Sequence, residues 1–116
     1  MKYLCLVYGE ESALQKVDDQ HCLDYDRSVR ESGHCIASEA LESASTATTV
    51  RVRNGKVTIV DGPFAETKEM LAGFYLIEAR DLNEAIRIAS NHPAGQLNEH
   101  LGWGVEVRPM DFFEQP

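Results

Sequence analysis

Two segments that are apolar on both alternations constrain the fold of this chain most. Residues 2–8 carry apolar side chains at even and odd positions, and residues 73–79 show the same pattern. Because successive side chains of a strand point to opposite faces of a sheet, both faces of these strands have to be covered. The two segments are therefore predicted to be central strands.

Capping signals predict two helices. The first runs from about residue 18 to residue 32, because Asp18 or Asp19 can cap its start and Gly33 can adopt the left-handed conformation that ends it. The second begins after Asp81, which forms a capping box with Glu84. It ends near residue 91, ahead of a proline.

The clearest local signal is an Asn54-Gly55 pair between two alternating runs, residues 48–53 and 56–60. This pattern is typical of a type I′ hairpin. The valines of the first run share one face and its arginines share the other, so the ribbon has one polar side. We expect it to extend the main sheet.

A weaker strand at residues 34–41 and a last strand at residues 103–107 complete the order β-α-β-β(hairpin)-β-α-β, in which the hairpin counts as one unit of two strands, with a short helical turn expected between residues 64 and 72. This order predicts a single α+β domain over residues 1–116, with a ferredoxin-like antiparallel sheet and both helices on one face. Two helices leave the other face uncovered. A second copy of the chain is the simplest cover, which predicts a homodimer.

Composition excludes several classes of partner. The 11 lysines and arginines are outnumbered by 19 acidic residues, and the net charge of -8 repels nucleic acid and anionic membranes. Three cysteines without a C-x-x-C spacing are typical of reduced thiols in the cytoplasm. The apolar stretch at residues 3–8 is too short for a signal peptide or a membrane span. Four scattered histidines predict no metal site, and no cofactor motif is found.

A family resemblance rests on the run DGPFAETKE at residues 61–69, followed by GFYLI at residues 73–77. The segments ATTVRV at 47–52, DLNEA at 81–85 and VEVRP at 105–109 extend it over nearly the whole chain. In these features the sequence resembles the DGPF proteins, a branch of the YCII-related family. The resemblance implies a dimeric α+β barrel, in which two ferredoxin-like sheets face each other.

The resemblance also implies two kinds of function. The YCII-related family is similar to muconolactone isomerases and includes a dehydrochlorinase domain for which a histidine–aspartate pair is proposed. This implies an acid–base enzyme of the lyase or isomerase type, acting on a small aromatic or carbonyl compound in a cavity between sheet and helices. DGPF proteins are also encoded beside sigma factors. That association implies the alternative, a ligand-sensing or partner-binding module in transcriptional stress regulation.

Asp61 is the leading acid–base candidate, with His21 or His92 as its partner. A carboxylate at the mouth of an apolar cavity can act as a base, whereas Asp-Gly-Pro chemistry is also fully explained by a turn. Alternatively, His92 is a helix-end residue whose side chain interacts favourably with the C-terminal end of the helix dipole.

Four further residues are candidate ligand contacts. Arg51 shares its ribbon face with another arginine and can hold an anion, unless it pairs with a carboxylate of the chain. Glu66 and Lys68 follow the turn, where alternating charges line either a pocket or a solvated surface. Tyr25 lies on the first helix and belongs to either the site or the core.

Overall fold

The computed structural model describes residues 1–10, 19–91 and 104–111, without the side chains of residues 19–22. In chain order the elements are β1 (Lys2–Gly9), α1 (Asp19–Glu31), β2 (Cys35–Ala40), a 3-10 turn (Ala44–Thr46), β3 (Thr48–Arg53), β4 (Lys56–Asp61), β5 (Met70–Glu78), α2 (Leu82–Ser90) and β6 (Gly104–Pro109). This is the predicted α+β order.

The main sheet has four strands in the order β2-β5-β1-β6, and every neighbouring pair is antiparallel. The two segments that are apolar on both alternations, β1 and β5, lie at its centre and pair with each other, with Cys5 opposite Tyr75 and Leu6 opposite Phe74. The prediction of a ferredoxin-like antiparallel sheet is therefore confirmed.

The core lies between this sheet and the two helices. Alternate residues of the central strands are buried there, and side chains of both helices pack on them. The buried core cluster consists of Tyr3, Cys5, Val7, Val29, Tyr75, Ile77, Ala79 and Ala85. On the opposite face, which we call the helix-free face, Leu4, Leu6, Phe74 and Leu76 are only partly buried within one protomer.

The capping box of the second helix and the glycine that ends the first are confirmed, whereas the predicted cap of the first helix at Asp18 or Asp19 lies outside the described side chains. The carboxylate of Asp81 accepts a hydrogen bond from the Glu84 amide at 2.9 Å, and the Glu84 carboxylate accepts one from the amide of Arg80, also at 2.9 Å. Gly33 has φ +81°, the left-handed conformation expected at the end of α1.

The hairpin has the predicted turn but a different place in the fold. Positive φ angles at Asn54 and Gly55 confirm the type I′ geometry. However, β3 and β4 form a separate two-stranded sheet, so the expected extension of the main sheet is wrong. The ends of the ribbon bond to each other, Gly62 donating to the carbonyl of Ala47 at 2.7 Å, and this closes the ribbon at its base.

The segment between the hairpin and β5 also differs from expectation. Residues 64–69 form bends without the expected helical turn, and β5 begins at Met70, three residues before the predicted start. A register shift at Val7 and Tyr8, which pair with Gly73 and Leu71, leaves Ala72 of β5 as the bulged residue, and the ladder then continues with Gly9 opposite Met70.

Gly73 provides a test of this packing. A Cβ atom at Gly73 would lie 2.9 Å from the backbone oxygen of Glu39 and 3.3 Å from the Cα of Ala40, both on the neighbouring strand β2. We expect Gly73→Ala to lower the free energy of unfolding by about 1–3 kcal/mol, because overpacked strands have to move apart. Urea denaturation measures the change.

Gly104→Ala is the matched control in the same sheet, since a Cβ there meets nothing within 4 Å. We expect its unfolding midpoint to equal or exceed that of the wild type, because alanine loses less backbone entropy on folding. Equal midpoints for the two variants would show that β2 and β5 are not in tight contact at Gly73.

Candidate functional site

A cleft of about 890 Å³ opens at the base of the hairpin, where β3, the 3-10 turn and the start of β5 meet. Its lining residues are Tyr8, Ala40, Leu41, Glu42, Ser43, Ala44, Thr46, Ala47, Thr48, Thr49, Val50, Pro63, Phe64, Ala65, Thr67, Glu69, Met70 and Leu71. Most of the run at residues 61–69 that carries the family resemblance thus lies at this cleft. Its volume is within the range of small-molecule sites.

Short-range hydrogen bonds hold two walls of the cleft. The 3-10 turn is capped by Ser43, whose hydroxyl accepts from the Ser45 amide at 3.2 Å and whose carbonyl accepts from the Thr46 hydroxyl at 2.7 Å. On the hairpin side, the Thr49 hydroxyl donates to the carbonyl of Gly62 at 2.8 Å. Gly62 has φ +124°, a conformation that favours glycine.

The chemistry of the lining is that of an apolar site with a few polar groups. Aromatic and aliphatic residues such as Tyr8, Phe64 and Met70 make up much of the lining, and its polar residues include threonines and the two glutamates Glu42 and Glu69. Such a lining can enclose an apolar ring and still orient it through hydroxyl or carbonyl groups.

Asp61 lies beside this cleft without lining it. Its side chain is exposed, and in the hairpin ladder it is directly opposite Thr48, a lining residue. Directly paired residues point to the same face of a ribbon. Asp61 therefore lies on the cleft-wall face of the hairpin, at its base.

Arg51 contacts Phe64, one of the residues that line the cleft. Its guanidinium carbon lies 4.4 Å from the centroid of the Phe64 ring, a cation–π contact. Lys68 forms an ion pair with Glu10 at 3.2 Å, and Glu66 is exposed in the turn. Arg51, on the face of the ribbon opposite Asp61, thus contacts the segment after the hairpin through Phe64, while the charge of Lys68 is already paired with Glu10.

Tyr25 lies elsewhere, in the layer between α1 and the sheet. Its hydroxyl donates to the carbonyl of Ile88 at 2.8 Å, and its ring meets that of Tyr75 edge-on, with centroids 5.7 Å apart. Burial raises the pKa of Tyr25 to about 12 and that of the Cys5 thiol to about 11, and it raises the pKa of Tyr75 as well. At neutral pH these groups are protonated, so they can donate hydrogen bonds but cannot act as bases.

The two candidate histidines cannot be placed. His92 lies outside the described residues, and of His21 the structure describes the helical backbone alone. Their pairing with Asp61 stays a prediction.

A histidine–carboxylate contact that the sequence did not indicate occurs at the other end of β5. The Nδ1 atom of His34 lies 2.8 Å from the carbonyl oxygen of Glu78 and 3.8 Å from the carboxylate of Glu84. The two side chains are 50 positions apart in the sequence, and Glu84 already had a role as a capping residue. Only the packing of α2 beside the start of β2 brings them together.

Residues 1–10, 19–91 and 104–111 contain neither a cluster of metal ligands nor a helix that could span a membrane. This part of the chain holds no group of three histidine, cysteine or acidic side chains placed to bind a metal ion. None of its helices is long and apolar enough to cross a bilayer.

The fold and the cleft define a small ferredoxin-like α+β protein with a site of ligand size. The family model of the YCII-related domain matches residues 1–111, and the chain belongs to that family. An uncharacterized protein of Rhizobium meliloti (strain 1021) is 35% identical to it, over 98% of this chain and 95% of the relative.

A solved structure shares the fold. The 5-chloro-2-hydroxyhydroquinone dehydrochlorinase of Burkholderia phenoliruptrix AC1100, in complex with 2,5-dihydroxybenzoquinone, superposes with a TM-score of 0.59 at 17% identity. The match covers 96% of this chain and 94% of the dehydrochlorinase chain.

The contacts of Glu84 predict how stability depends on pH. Its hydrogen bond from the Arg80 amide, together with the nearby arginine and His34 charges, lowers the pKa of Glu84 below its ordinary 4.5. The stabilisation is therefore complete above about pH 4.5 and disappears as the pH falls through the lower folded-state pKa. In Glu84→Gln the amide oxygen still accepts the capping bond, but the charge is gone.

We expect the urea midpoint of the wild type to be higher than that of Glu84→Gln near neutral pH, and the two midpoints to converge in acid. Glu31→Gln removes the same charge from the exposed end of α1 and controls for net charge. If the Glu84 and Glu31 variants show the same dependence on pH, the Glu84 contacts do not stabilise the charged carboxylate.

Proposed function

We propose that this protein binds a small aromatic or carbonyl compound in the cleft at the hairpin base and carries out acid–base chemistry on it, of the isomerase or dehydrochlorinase type. The observation that carries the proposal is the cleft itself, whose lining combines apolar residues with threonines and two glutamates. Membership of the YCII-related family supports it. So does the fold shared with a dehydrochlorinase that binds a hydroxylated quinone.

Asp61 is the base in this proposal. Its pairing with Thr48, a lining residue, supports this role, and the hydrogen bond from Gly62 to Ala47 anchors the backbone of the ribbon beside it. A carboxylate there can take a proton from a ligand carbon or hydroxyl, and His21 or His92 is the proposed partner that returns it. In a dehydrochlorination the base takes the proton, the electron pair of the broken bond forms the new double bond, and chloride leaves with the electrons of the C–Cl bond, so that HCl is lost overall.

The alternative is a ligand-sensing module that uses the same cleft without turnover. Both functions need the cleft, but only the enzyme needs the basicity of Asp61. Variants that separate binding from basicity therefore distinguish the two.

A larger side chain on the 3-10 turn would narrow the cleft. Ala44 lines the cleft, whereas Ser45, the next residue of the same turn, is exposed and absent from the lining. With 2,5-dihydroxybenzoquinone as the probe, we expect Ala44→Leu to weaken binding at least tenfold, because the larger side chain occupies ligand space. Titration calorimetry measures the affinity.

Ser45→Leu adds a leucine at the neighbouring position and should leave the affinity within about twofold, as for an exposed surface change. Equal affinities for the two variants would place the ligand elsewhere. Lack of binding to the wild type would argue against a hydroxyquinone-like ligand.

The role of Asp61 is tested in Asp61→Asn, whose amide oxygen can still accept the hydrogen bonds of a turn. If Asp61 is the base, the variant keeps its melting temperature and its affinity for the probe but loses turnover, and a histidine pKa measured by NMR shifts. A loss of stability without any change in histidine titration would assign Asp61 to the turn and favour the ligand-sensing module.

We further propose that the protein works as a homodimer in which two helix-free faces cover each other. Leu6 and Phe74 are paired at the centre of this face, next to the pair Leu4 and Leu76, and all four are only partly buried within a single protomer. An apolar sheet centre of this kind favours an isologous contact with the same face of a second copy.

Light scattering should give twice the chain mass of 13.0 kDa. Leu6→Glu places a charge at the centre of the proposed interface, so we expect it to yield monomers. The control is Leu82→Glu, which introduces the same charge at an exposed leucine of α2 and should stay dimeric. A monomeric wild type at micromolar concentration would contradict the proposed dimer.

A further inference from the structure

One face of the hairpin is apolar and exposed. Cross-strand pairing places Val50 opposite Ile59 and Val52 opposite Val57 on this face. Their side chains are 61%, 67%, 66% and 64% exposed, respectively. We call the ribbon of β3 and β4 the arm, and this side of it the apolar arm face.

The arm has little support from its own protomer. Its two strands contact mainly each other, and they form a sheet that is separate from the main one. An isolated two-stranded hairpin is marginally stable in water and needs packing against another surface. Four β-branched side chains on one face supply the apolar area for such packing.

The apolar arm face adjoins the helix-free face. Val50, at the foot of the arm, lines the cleft together with Tyr8. Tyr8 follows Leu4 and Leu6 on the alternation of β1 that faces away from the helices. The two apolar surfaces thus meet at the cleft, so one partner seated on the helix-free face also lies beside the arm.

The charge of the arm favours a second copy of this chain as that partner. The opposite side of the arm carries Arg51, Arg53 and Lys56, and the arm has a single carboxylate, Asp61, at its base. Three positive charges and one negative charge give the arm a net charge of +2, whereas the chain as a whole has a net charge of -8. A cationic arm meeting the acidic body of another copy is electrostatically favourable.

The arm is also long enough. Six residues per strand, at a rise of about 3.4 Å each, reach about 20 Å. The thinnest dimension of the protomer is 19 Å. An arm of this length can extend along a neighbouring copy well beyond the contact of the two sheet faces.

We propose that each arm packs its apolar face on the second copy of the dimer, so that the partner contributes to closing the ligand cleft. The arm continues the interface from the helix-free face past Tyr8 and Val50 and buries Val52 and Val57 between the protomers. The inference rests on the proposed dimer and on the proposed ligand cleft. It adds that the cleft is complete only in the assembled protein.

Two glutamate substitutions on β4 test the arm. Val57 lies on the apolar arm face, whereas Val60 lies on the opposite side of the same strand and is 49% exposed. We expect Val57→Glu to raise the dimer dissociation constant at least tenfold, measured by sedimentation velocity over a dilution series, and to weaken binding of 2,5-dihydroxybenzoquinone. Val60→Glu carries the same charge and should change either value less than threefold.

Because Val57→Glu can also disturb the hairpin, a second experiment locates the arm directly. A benzophenone amino acid in place of Val57 is irradiated in the otherwise wild-type dimer. We expect cross-linked dimers in which the adduct maps to the other copy. The same probe in place of Val60 should give few of them.

The results separate this proposal from those on which it depends. If Leu6→Glu dissociates the dimer, while Val57→Glu leaves the dissociation constant unchanged and the probe at position 57 gives no cross-links between copies, the dimer stands and the arm proposal is wrong. If cross-links form between copies while the probe ligand binds a monomeric variant as tightly as the dimer, the partner does not complete the cleft. A monomeric wild type would remove the dimer and the arm contact together.

Discussion

The pairing of β1 with β5 is the interaction on which the rest of the structure depends. Their side chains facing the helices, such as Cys5, Tyr75 and Ile77, form the core. Their side chains facing the other way, such as Leu6 and Phe74, give the sheet a second apolar surface. The same two strands form both apolar surfaces. The strand pair that stabilises the core therefore also gives the sheet an apolar face that the helices do not cover.

The candidate site is a product of how this pairing ends. The ladder of β1 and β5 continues past the bulge at Ala72 to Gly9 and Met70, which brings the start of β5 up to the 3-10 turn and the foot of the hairpin. The cleft opens where these three elements meet. Its acid–base candidate lies on the ribbon rather than on the rigid sheet, while the buried tyrosines between sheet and helix hold their protons and belong to the core. Binding surface and chemistry are therefore supplied by different parts of the fold.

The local features could be predicted because each depends on residues close in sequence. The Asn54-Gly55 turn, the Asp81 cap and the alternation of the central strands need only neighbours to act. The placement of the hairpin and the contact of His34 with Glu84 could not be predicted in this way, since both depend on how distant elements pack. The same reason explains the site. The residue types at 61–69 indicate a turn and charged groups. They do not indicate that the guanidinium of Arg51 packs against the ring of Phe64.

The burial of Cys5 has a consequence for the chemistry of the thiol. With its pKa raised to about 11, almost none of it is thiolate near neutral pH, and its side chain is fully buried between sheet and helices. Alkylating reagents attack the thiolate, so they can modify this cysteine only in molecules where the helix layer has opened. The rate at which Cys5 is labelled in otherwise native protein therefore reports the free energy of that opening. Labelling of Cys5 thus measures how stably the helices pack on the sheet.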